Sequence, residues 1–394
     1  MSSAWKKVAI GDMVDDVKTW NPLRSVPNDS FDYVDLSAID QDSKTIIGVR
    51  KVICGDAPSR ARQLVARGDV LVSTVRPNLN GVALVPEELD GATASTGFCV
   101  LRPRKDFLDG TYLFHWVKSP KFISDMVKKA TGANYPAVSD RIISESQILL
   151  PPLEEQRRIA EILDRAEELR SKRRGAIAQL DTLNQAIFLE MFGDPVTNPK
   201  GIKVVRLSEI TTRITDGVHQ KPNYTENGVP FISVKNITTG SLKFEDCKFI
   251  SLDDHLKFTK RCKAERLDIL YTKVGATYGR PALVDTDCEF SLYDSVCLIK
   301  PDKKLIDPFF LNAALGTTAV KSQADRKIKG IGVPDLHLDQ IQNFLIPLPS
   351  MKDQQEFACR VEAVEKLKTA HRASLSELDA LFASLQHQAF RGEL

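Results

Sequence analysis

Two stretches of the sequence, "STVRPNLNGVALV" and "TKVGATYGRPALV", place clusters of hydrogen-bonding side chains between apolar segments. The polar residues are Arg76, Asn78 and Asn80 in the first stretch and Lys273, Tyr278 and Arg280 in the second. Guanidinium, amide, ammonium and phenol groups donate hydrogen bonds to acceptors and anions, which suits recognition better than bond-making chemistry. The alternative is that they are solvated turn residues, because Pro-Asn and Asn-Gly are turn-forming pairs in any case.

Other polar loops supply further candidate binding residues. They are Lys128, Lys129 and Asn134, then His219, Lys221 and Tyr224, then Lys235 and Asn236, and finally Lys327 and Lys329. Lysines at these positions would supply local positive charge, or they would be no more than solvated helix ends and loops.

The familiar catalytic signatures are missing from this sequence. It has no phosphate-binding GxxxxGK[ST] loop, no glycine-rich dinucleotide turn, no HExxH and no GxSxG. The six histidines are dispersed and match no zinc-binding spacing. The Asn/Asp-Pro-Pro-aromatic motif of amino-methyltransferases is also missing. These observations favour recognition over catalysis.

The bulk composition is that of an ordinary globular protein. The chain has 394 residues, 27% charged and 42% hydrophobic, with a net charge of +2, so any nucleic-acid surface must be a local patch. It has no apolar run of about 18 residues and no apolar signal core, so neither a membrane span nor export is expected. Seven scattered cysteines without a CxxC pair indicate reduced thiols in the cytoplasm.

The sequence is a tandem repeat with an offset of about 198 residues. "FCVLRP" matches "VCLIKP", and "TGANYPAV" matches "KGIGVPDL". "ILLPPLEEQRRIAEILDRAEEL" matches "IPLPSMKDQQEFACRVEAVEKL". Each copy therefore has a strand-rich part followed by a helical part.

The elements that must position the polar loops follow from this repeat. We predict the α+β class, with two homologous mixed α/β domains at 1–150 and 201–348. Long helices are predicted at 151–192 and 349–394, with a linker at 193–200. Apolar residues recur near heptad spacing in both helices, so we expect them to pack as an antiparallel coiled coil that relates the domains by a pseudo-twofold axis. This predicted seam includes Ile159, Ala166, Leu169 and Leu183 in the first helix and Phe357, Val364, Leu367 and Leu381 in the second. Each helix would be roughly 55 Å long.

The stretch "LPPLEEQRRIAEIL", which opens a long helix after a strand-rich domain, resembles the specificity subunit of Type I restriction-modification systems. "LPSMKDQQEFA" is a diverged second copy that keeps Gln354 but has Lys352 and Asp353 in place of the two glutamates. The resemblance covers the whole chain, in the order recognition domain, helix, recognition domain, helix.

This resemblance implies a non-catalytic subunit that reads a bipartite double-stranded DNA target, one half-site per domain, with a spacer set by the helices. It implies no cofactor in this chain. Two methyltransferase subunits would bind S-adenosylmethionine, and restriction subunits would use ATP and Mg²⁺. The polar loop residues above become candidate DNA contacts. Candidate partner contacts are Glu154, Glu155, Gln156, Arg157 and Gln354.

Two other functions stay open at this level. A two-headed adaptor that binds proteins or carbohydrate would need little basic character in its loops, so their Arg and Lys content argues mildly against it. A single-chain enzyme with an unrecognised site would act without any partner subunit.

Overall fold

The computed structural model describes residues 5–328 and 332–394. The chain divides into two compact units, unit 1 (Met1–Gly175 with Arg372–Leu394) and unit 2 (Ala176–His371). Each unit holds one strand-rich part together with a portion of both long helices. The unit boundaries thus differ from the predicted domain boundaries, which gave each helix a segment of its own.

Unit 1 begins with the strand-rich part of the first repeat. Its strands are β1 (Lys6–Ala9), β2 (Val14–Asp15), β3 (Ser30–Val34), β4 (Arg50–Ile53), β5 (Ala61–Leu64), β6 (Val70–Ser73), β7 (Val82–Leu84), β8 (Thr93–Ser95), β9 (Phe98–Pro103) and β10 (Gln147–Leu150). Its helices are α1 (Gly110–Val117), α2 (Pro120–Lys129), α3 (Asp140–Ser144) and the first part of the long α4 (Leu153–Phe192).

Unit 2 continues from the last part of α4 into the second repeat. Its strands are β11 (Val204–Arg206), β12 (Thr211–Asp216), β13 (Tyr224–Thr225), β14 (Val229–Ile232), β15 (Lys248–Ile250), β16 (Ile269–Thr272), β17 (Pro281–Leu283), β18 (Ser291–Leu292), β19 (Val296–Pro301) and β20 (Leu345–Pro347). Its helices are α5 (Leu252–Thr259), α6 (Pro308–Leu315), α7 (Thr318–Lys327), α8 (Leu338–Gln342) and the first part of the long α9 (Met351–Ala389), whose last part belongs to unit 1.

The two units share the topology of one four-stranded sheet and of a two-stranded pair, whereas their second four-stranded sheets differ at one edge: β5 flanks β8 in unit 1, and β13 flanks β15 in unit 2. In unit 1 a four-stranded sheet has the order β2-β9-β6-β7, a second has the order β4-β3-β8-β5, and β1 pairs with β10. In unit 2 the corresponding orders are β12-β19-β16-β17 and β13-β15-β14-β18, and β11 pairs with β20. The pairing is antiparallel except for β3 with β8 and β14 with β18. The predicted mixed α/β repeats are confirmed.

The strand-rich part of each unit also contains a pair of consecutive short helices, α1 and α2 in unit 1 and α6 and α7 in unit 2. In unit 1 the two helices are separated at Ser119, whose Oγ accepts a hydrogen bond from Phe122 N at 3.2 Å and so caps the start of α2. In unit 2 Thr317 caps α7 in the same way, with Val320 N donating at 3.4 Å. A capping hydroxyl satisfies a backbone N–H at the start of the new helix, which favours the break.

The portions of α4 and α9 that belong to unit 1 lie side by side. Arg158 donates to the backbone oxygen of Leu394 at 2.9 Å, and Arg170 Nε donates to Asp379 Oδ1 at 2.6 Å. The residue numbers rise along α4 while they fall along the partner segment, so the helices run antiparallel. Arg170 is largely buried and Asp379 is about half exposed, so solvent only partly weakens their ion pair.

Unit 2 shows the same arrangement with the other portions of the two helices. Lys368 Nζ lies 2.9 Å from Asp181 Oδ1, and Asn184 Nδ2 donates to Glu365 Oε1 at 3.1 Å. The predicted antiparallel pairing of the long helices is therefore confirmed within each unit.

The predicted heptad seam is only partly correct. Ile159 and Ala166 are buried in the core of unit 1, and Phe357 and Val364 are buried in unit 2. Four other predicted seam residues are about half exposed, namely Leu169, Leu183, Leu367 and Leu381. A straight α-helix drifts by about 20° per heptad from a 3.5-residue repeat, so a regular heptad does not stay on one face over such a length.

Candidate nucleic-acid interface

The polar stretch of unit 1 is the connection of a β-hairpin. Strands β6 and β7 pair antiparallel, and residues 74–81 between them form what we call the hairpin loop of unit 1. In unit 2 the hairpin of β16 and β17 carries residues 273–280, the hairpin loop of unit 2. Both hairpins lie at the same place in their sheets, as the sequence repeat predicts.

A second loop holds each hairpin loop from the side. In unit 1 this second loop, residues 130–137, follows α2, and Arg76 N donates to Pro136 O at 2.7 Å. In unit 2 residues 332–335 take the same place, and Gly275 N donates to Pro334 O at 2.9 Å. A backbone hydrogen bond thus joins the two loops at the same place in both units, and this contact does not depend on which side chains stand there.

A buried aspartate anchors the base of each hairpin. Asp69 accepts two hydrogen bonds from Arg102, from Nε at 2.9 Å and from a terminal nitrogen at 2.6 Å. Asp268 in unit 2 accepts from Lys300 Nζ at 2.7 Å. Burial raises the pKa of Asp268 above its ordinary value, and the hydrogen bond from Lys300 opposes that shift. These pairs hold the strand that leads into each loop.

Lys44 supports the far side of the unit 1 hairpin loop. Its Nζ donates to the backbone oxygen of Asn80 at 2.7 Å. Burial lowers the pKa of this lysine from its ordinary value. Lys44 therefore stabilises the loop from within unit 1.

The predicted residues of unit 1 gather around this loop pair. Helix α2 packs against Pro77–Leu79 and ends at Lys128 and Lys129, which are exposed. Asn134 lies in the second loop and is exposed, as is Asn78 in the hairpin loop. The side chain of Arg76 is exposed beside Asn78, whereas Asn80 is half-buried. The structure thus brings all six residues to one end of the sheet, and their contact with DNA stays a prediction.

The predicted residues of unit 2 are more scattered. Lys221 and Lys327 are exposed, and Arg280 donates to Thr238 O. His219 lies between two carboxylates, with Nε2 at 3.2 Å from Asp216 and Nδ1 at 3.6 Å from Asp294.

Three aromatic and basic residues of unit 2 have local partners. Tyr224 is partly exposed on the edge strand β13, where Lys248 Nζ lies 4.1 Å from its ring centroid. Tyr278 hydrogen-bonds to Asp325, and Lys235 donates to Asp246 O. These side chains are held in place by their own unit.

Two predictions in unit 2 need correction. Lys273 is buried, and its Nζ lies 3.4 Å from Asp335 Oδ1 and 3.8 Å from Asp216 Oδ2, so its charge is neutralised inside the unit. Asn236 is also buried. Its Oδ1 accepts a hydrogen bond from Ser233 N at 3.1 Å, which closes a local turn. Both side chains have structural roles. Lys329 lies outside the described residues.

The two predicted partner-binding glutamines also have internal roles. Gln156 is 0% exposed, and its amide is bonded entirely to the backbone of its own unit. Its Oε1 accepts from Asp109 N, while Nε2 donates to Phe107 O and Pro151 O, each at 2.9 Å. This glutamine clamps the start of α4 to the turn before α1.

Gln354 repeats the clamp in unit 2. Its Oε1 accepts from Asp307 N at 2.8 Å, and its Nε2 donates to Pro349 O at 3.0 Å. The neighbouring candidates on α4 differ from these glutamines. Glu154 and Arg157 are exposed, and Glu155 pairs with Arg158 at 2.7 Å. Partner contact by these three residues stays a prediction.

Tyr135 lies in the loop pair of unit 1 and was not singled out by the sequence analysis. It lies in the second loop of unit 1, is 68% exposed, and its ring centroid is 4.8 Å from Cζ of Arg76. Its position between Gly132 and Pro136 in a predicted loop was the available signal, because an aromatic side chain there has little to bury against.

Neither a metal site nor a membrane helix is found in the part of the chain that the structure describes. Among residues 5–328 and 332–394, no group of three or more His, Cys, Asp or Glu side chains could hold a metal ion. No helix within those ranges is long and apolar enough to cross a membrane.

Relatives with known roles match this architecture. The chain is 26% identical over 326 residues to the Type I restriction enzyme EcoBI specificity subunit of Escherichia coli, covering 75% of this chain and 68% of that one. It is 24% identical over 310 residues to the MjaVIII specificity subunit of Methanocaldococcus jannaschii, covering 75% and 72%. A chain from a solved structure of a type I R-M system superimposes with a TM-score of 0.66 at 28% identity, covering 100% of this chain and 99% of that one.

The family model that matches is the Type I restriction modification DNA specificity domain. It matches twice, over residues 3–180 and 199–379, which is nearly the whole chain and coincides with the two copies of the repeat. The chain therefore belongs to the family of Type I restriction-modification DNA specificity subunits.

Proposed function

We propose that each unit reads one half-site of a bipartite double-stranded DNA target. The observation that supports this most strongly is the repeated loop pair, which has the same backbone arrangement in both units and different side chains at the tip. Base edges in the major groove are distinguished by side chains such as Arg on guanine and Asn on adenine. One scaffold with two sets of tip residues is what reading two different half-sites requires.

The exposed lysines around the loops have a different role in this proposal. Lys128 and Lys129 in unit 1, and Lys221 and Lys327 in unit 2, would contact phosphates, which position a protein on the duplex without specifying sequence. The net charge of only +2 makes such local placement necessary.

The chain itself would carry out no chemistry in this proposal. Two methyltransferase subunits would bind S-adenosylmethionine, restriction subunits would use ATP and Mg²⁺, and the assembly would work in the cytoplasm. The partner subunits would dock along the long helices, where four leucines are about half exposed. Leu169 and Leu381 lie in unit 1, and Leu183 and Leu367 in unit 2.

Replacing Lys128 and Lys129 together by Ala should weaken DNA binding without changing its sequence preference. Binding weakens with salt, and each lost phosphate contact makes the negative slope of log K against log salt shallower by about 0.9. The slope of the double variant should therefore be shallower than that of the wild type by up to about 1.8. The measurement is the affinity of the chain, in complex with its methyltransferase partner, for a duplex containing the target at several salt concentrations.

Lys105→Ala is the matched control for that experiment. Lys105 follows β9, at the opposite end of the sheet from the hairpin loop, because Ser73 pairs with Phe98 and Val70 pairs with Leu101. Its removal should leave the slope unchanged. If the salt slope changed equally in the Lys128/Lys129 double variant and in Lys105→Ala, a local phosphate-binding role would be contradicted. If the wild-type affinity did not depend on salt, the proposed reading of DNA would be contradicted altogether.

A further inference from the structure

The hairpin loops of the two units share two left-handed backbone positions but fill them differently. In unit 1 these positions hold Arg76, with φ of +50°, and Asn80, with φ of +47°. The equivalent positions in unit 2 hold Gly275 and Gly279, with φ of +89° and +87°. Glycine adopts this conformation without steric conflict, and asparagine tolerates it better than most residues.

Arg76 is therefore the unusual residue of the four. A left-handed conformation is unfavourable for a long side chain, since Cβ crowds the backbone. Strain of this kind is found where a side chain is used. Unit 2 demonstrates that glycine suits the same turn, so folding alone does not require an arginine there.

The guanidinium of Arg76 is also uncommitted. In the described part of the chain it has no carboxylate or carbonyl partner, whereas several basic residues of unit 2 do have such partners. Arg280 donates to Thr238 O, Lys235 donates to Asp246 O, Lys273 lies near Asp335, and Lys321 pairs with Asp325. Arg76 instead lies over the ring of the exposed Tyr135.

Stacking on an aromatic ring gives a guanidinium a defined plane without using its hydrogen-bond donors. A planar fork with free donors matches O6 and N7 of guanine in the major groove. In unit 2 the position equivalent to Tyr135 holds Val333, which is 74% exposed and has no aromatic ring. The position equivalent to Arg76 holds Gly275, which has no guanidinium. The stacked pair is therefore a feature of unit 1.

We propose that Arg76 reads a guanine in the half-site of unit 1 and that Tyr135 is the positioning residue that holds the guanidinium plane for it. This rests on the proposed function, in which each unit reads one half-site. Tyr135 acts through Arg76 and need not touch the base.

The test uses the full chain expressed with its methyltransferase partner in a host without other adenine methylation, with methylated positions read by single-molecule sequencing. The variants are Arg76→Gly, which copies the residue of unit 2, Tyr135→Ala, and Tyr135→Phe, which keeps the ring. Val333→Ala is the control in unit 2. For each variant, the melting temperature of the purified complex is measured in addition to its methylation motif.

Arg76→Gly should relax one G·C position of one half-site by about 10-fold or more in preference, with the other half-site unchanged. Its melting temperature should stay within about 3 °C of the wild type, because glycine suits the turn. Tyr135→Ala should relax the same position, Tyr135→Phe should restore it, and Val333→Ala should leave that position intact.

Three results would overturn the proposal. One is a wild-type bipartite motif that survives unchanged in both Arg76→Gly and Tyr135→Ala, which would leave the proposed function standing. Another is relaxation at an A·T position, or in both half-sites at once. The third is the lack of any bipartite motif for the wild type, which would overturn the proposed function as well.

Discussion

Replacing Gln156 by Glu is expected to destabilise unit 1 by about 3 kcal/mol or more. The wild-type amide donates to two backbone carbonyls and accepts from Asp109 N, and its side chain is completely buried. A carboxylate keeps the acceptor but loses both donations, and it places negative charge against Phe107 O and Pro151 O. Each buried group left without a partner costs about 1–3 kcal/mol.

Tryptophan fluorescence during urea unfolding measures this directly, because Trp5, Trp20 and Trp116 all belong to unit 1. Glu154→Gln on the exposed face is the control and should leave the midpoint unchanged. Gln354→Glu, the equivalent change in unit 2, should lower the midpoint seen by circular dichroism more than the one seen by fluorescence. A wild-type fluorescence midpoint for Gln156→Glu would mean that the clamp is not needed to hold α4.

Phe188→Ala is expected to destabilise unit 2 by about 3–5 kcal/mol. Phe188 is fully buried near the end of α4 and lies in a cluster of four phenylalanines. Its ring centroid is 5.7 Å from that of Phe310, nearly parallel, and 5.2 Å and 5.7 Å from the edge-packed rings of Phe192 and Phe357. Removing the ring leaves a cavity that the neighbouring phenylalanine rings are too rigid to fill.

Circular dichroism during urea unfolding tests this, with fluorescence as the internal comparison, since unit 2 has no tryptophan in the sequence of residues 176–371. Phe188→Leu should recover most of the lost stability because it refills much of the volume. Unit 1 keeps a ring at two of the four equivalent positions, Tyr112 and Phe390, but lacks one at the other two. At those two positions stand Gln386 and Ile159, and the larger Trp116 replaces Ala314. If Phe188→Ala unfolded at the wild-type urea concentration, α4 would not be held to unit 2 by this cluster.

The sequence was sufficient to find the repeat, the two loops and the long helices because these follow from local patterns. Periodicity locates a helix, and flanking apolar segments locate a hairpin. The family resemblance then rested on "LEEQ" at the start of the first helix. Gln156 was nevertheless predicted to contact a partner, because the backbone groups it binds become its neighbours only after folding.

The same limit explains the corrections in unit 2. Lys273 in a polar loop looks like a free cation in the sequence, but Asp216 and Asp335, which lie far from it along the chain, neutralise it in the fold. The left-handed conformation of Arg76 was equally hidden, since arginine gives no sign of a positive φ. Only its alignment with Gly275 could have suggested it.

In the proposed function, this chain directs modification to a bipartite DNA target, one half per unit. The most direct measurement is methylome sequencing of a host lacking other adenine methylation, carrying this chain with and without its methyltransferase partner. We expect a single bipartite motif with a fixed gap, present only when both are expressed. A stable complex of the two that produces no such motif would contradict the claim.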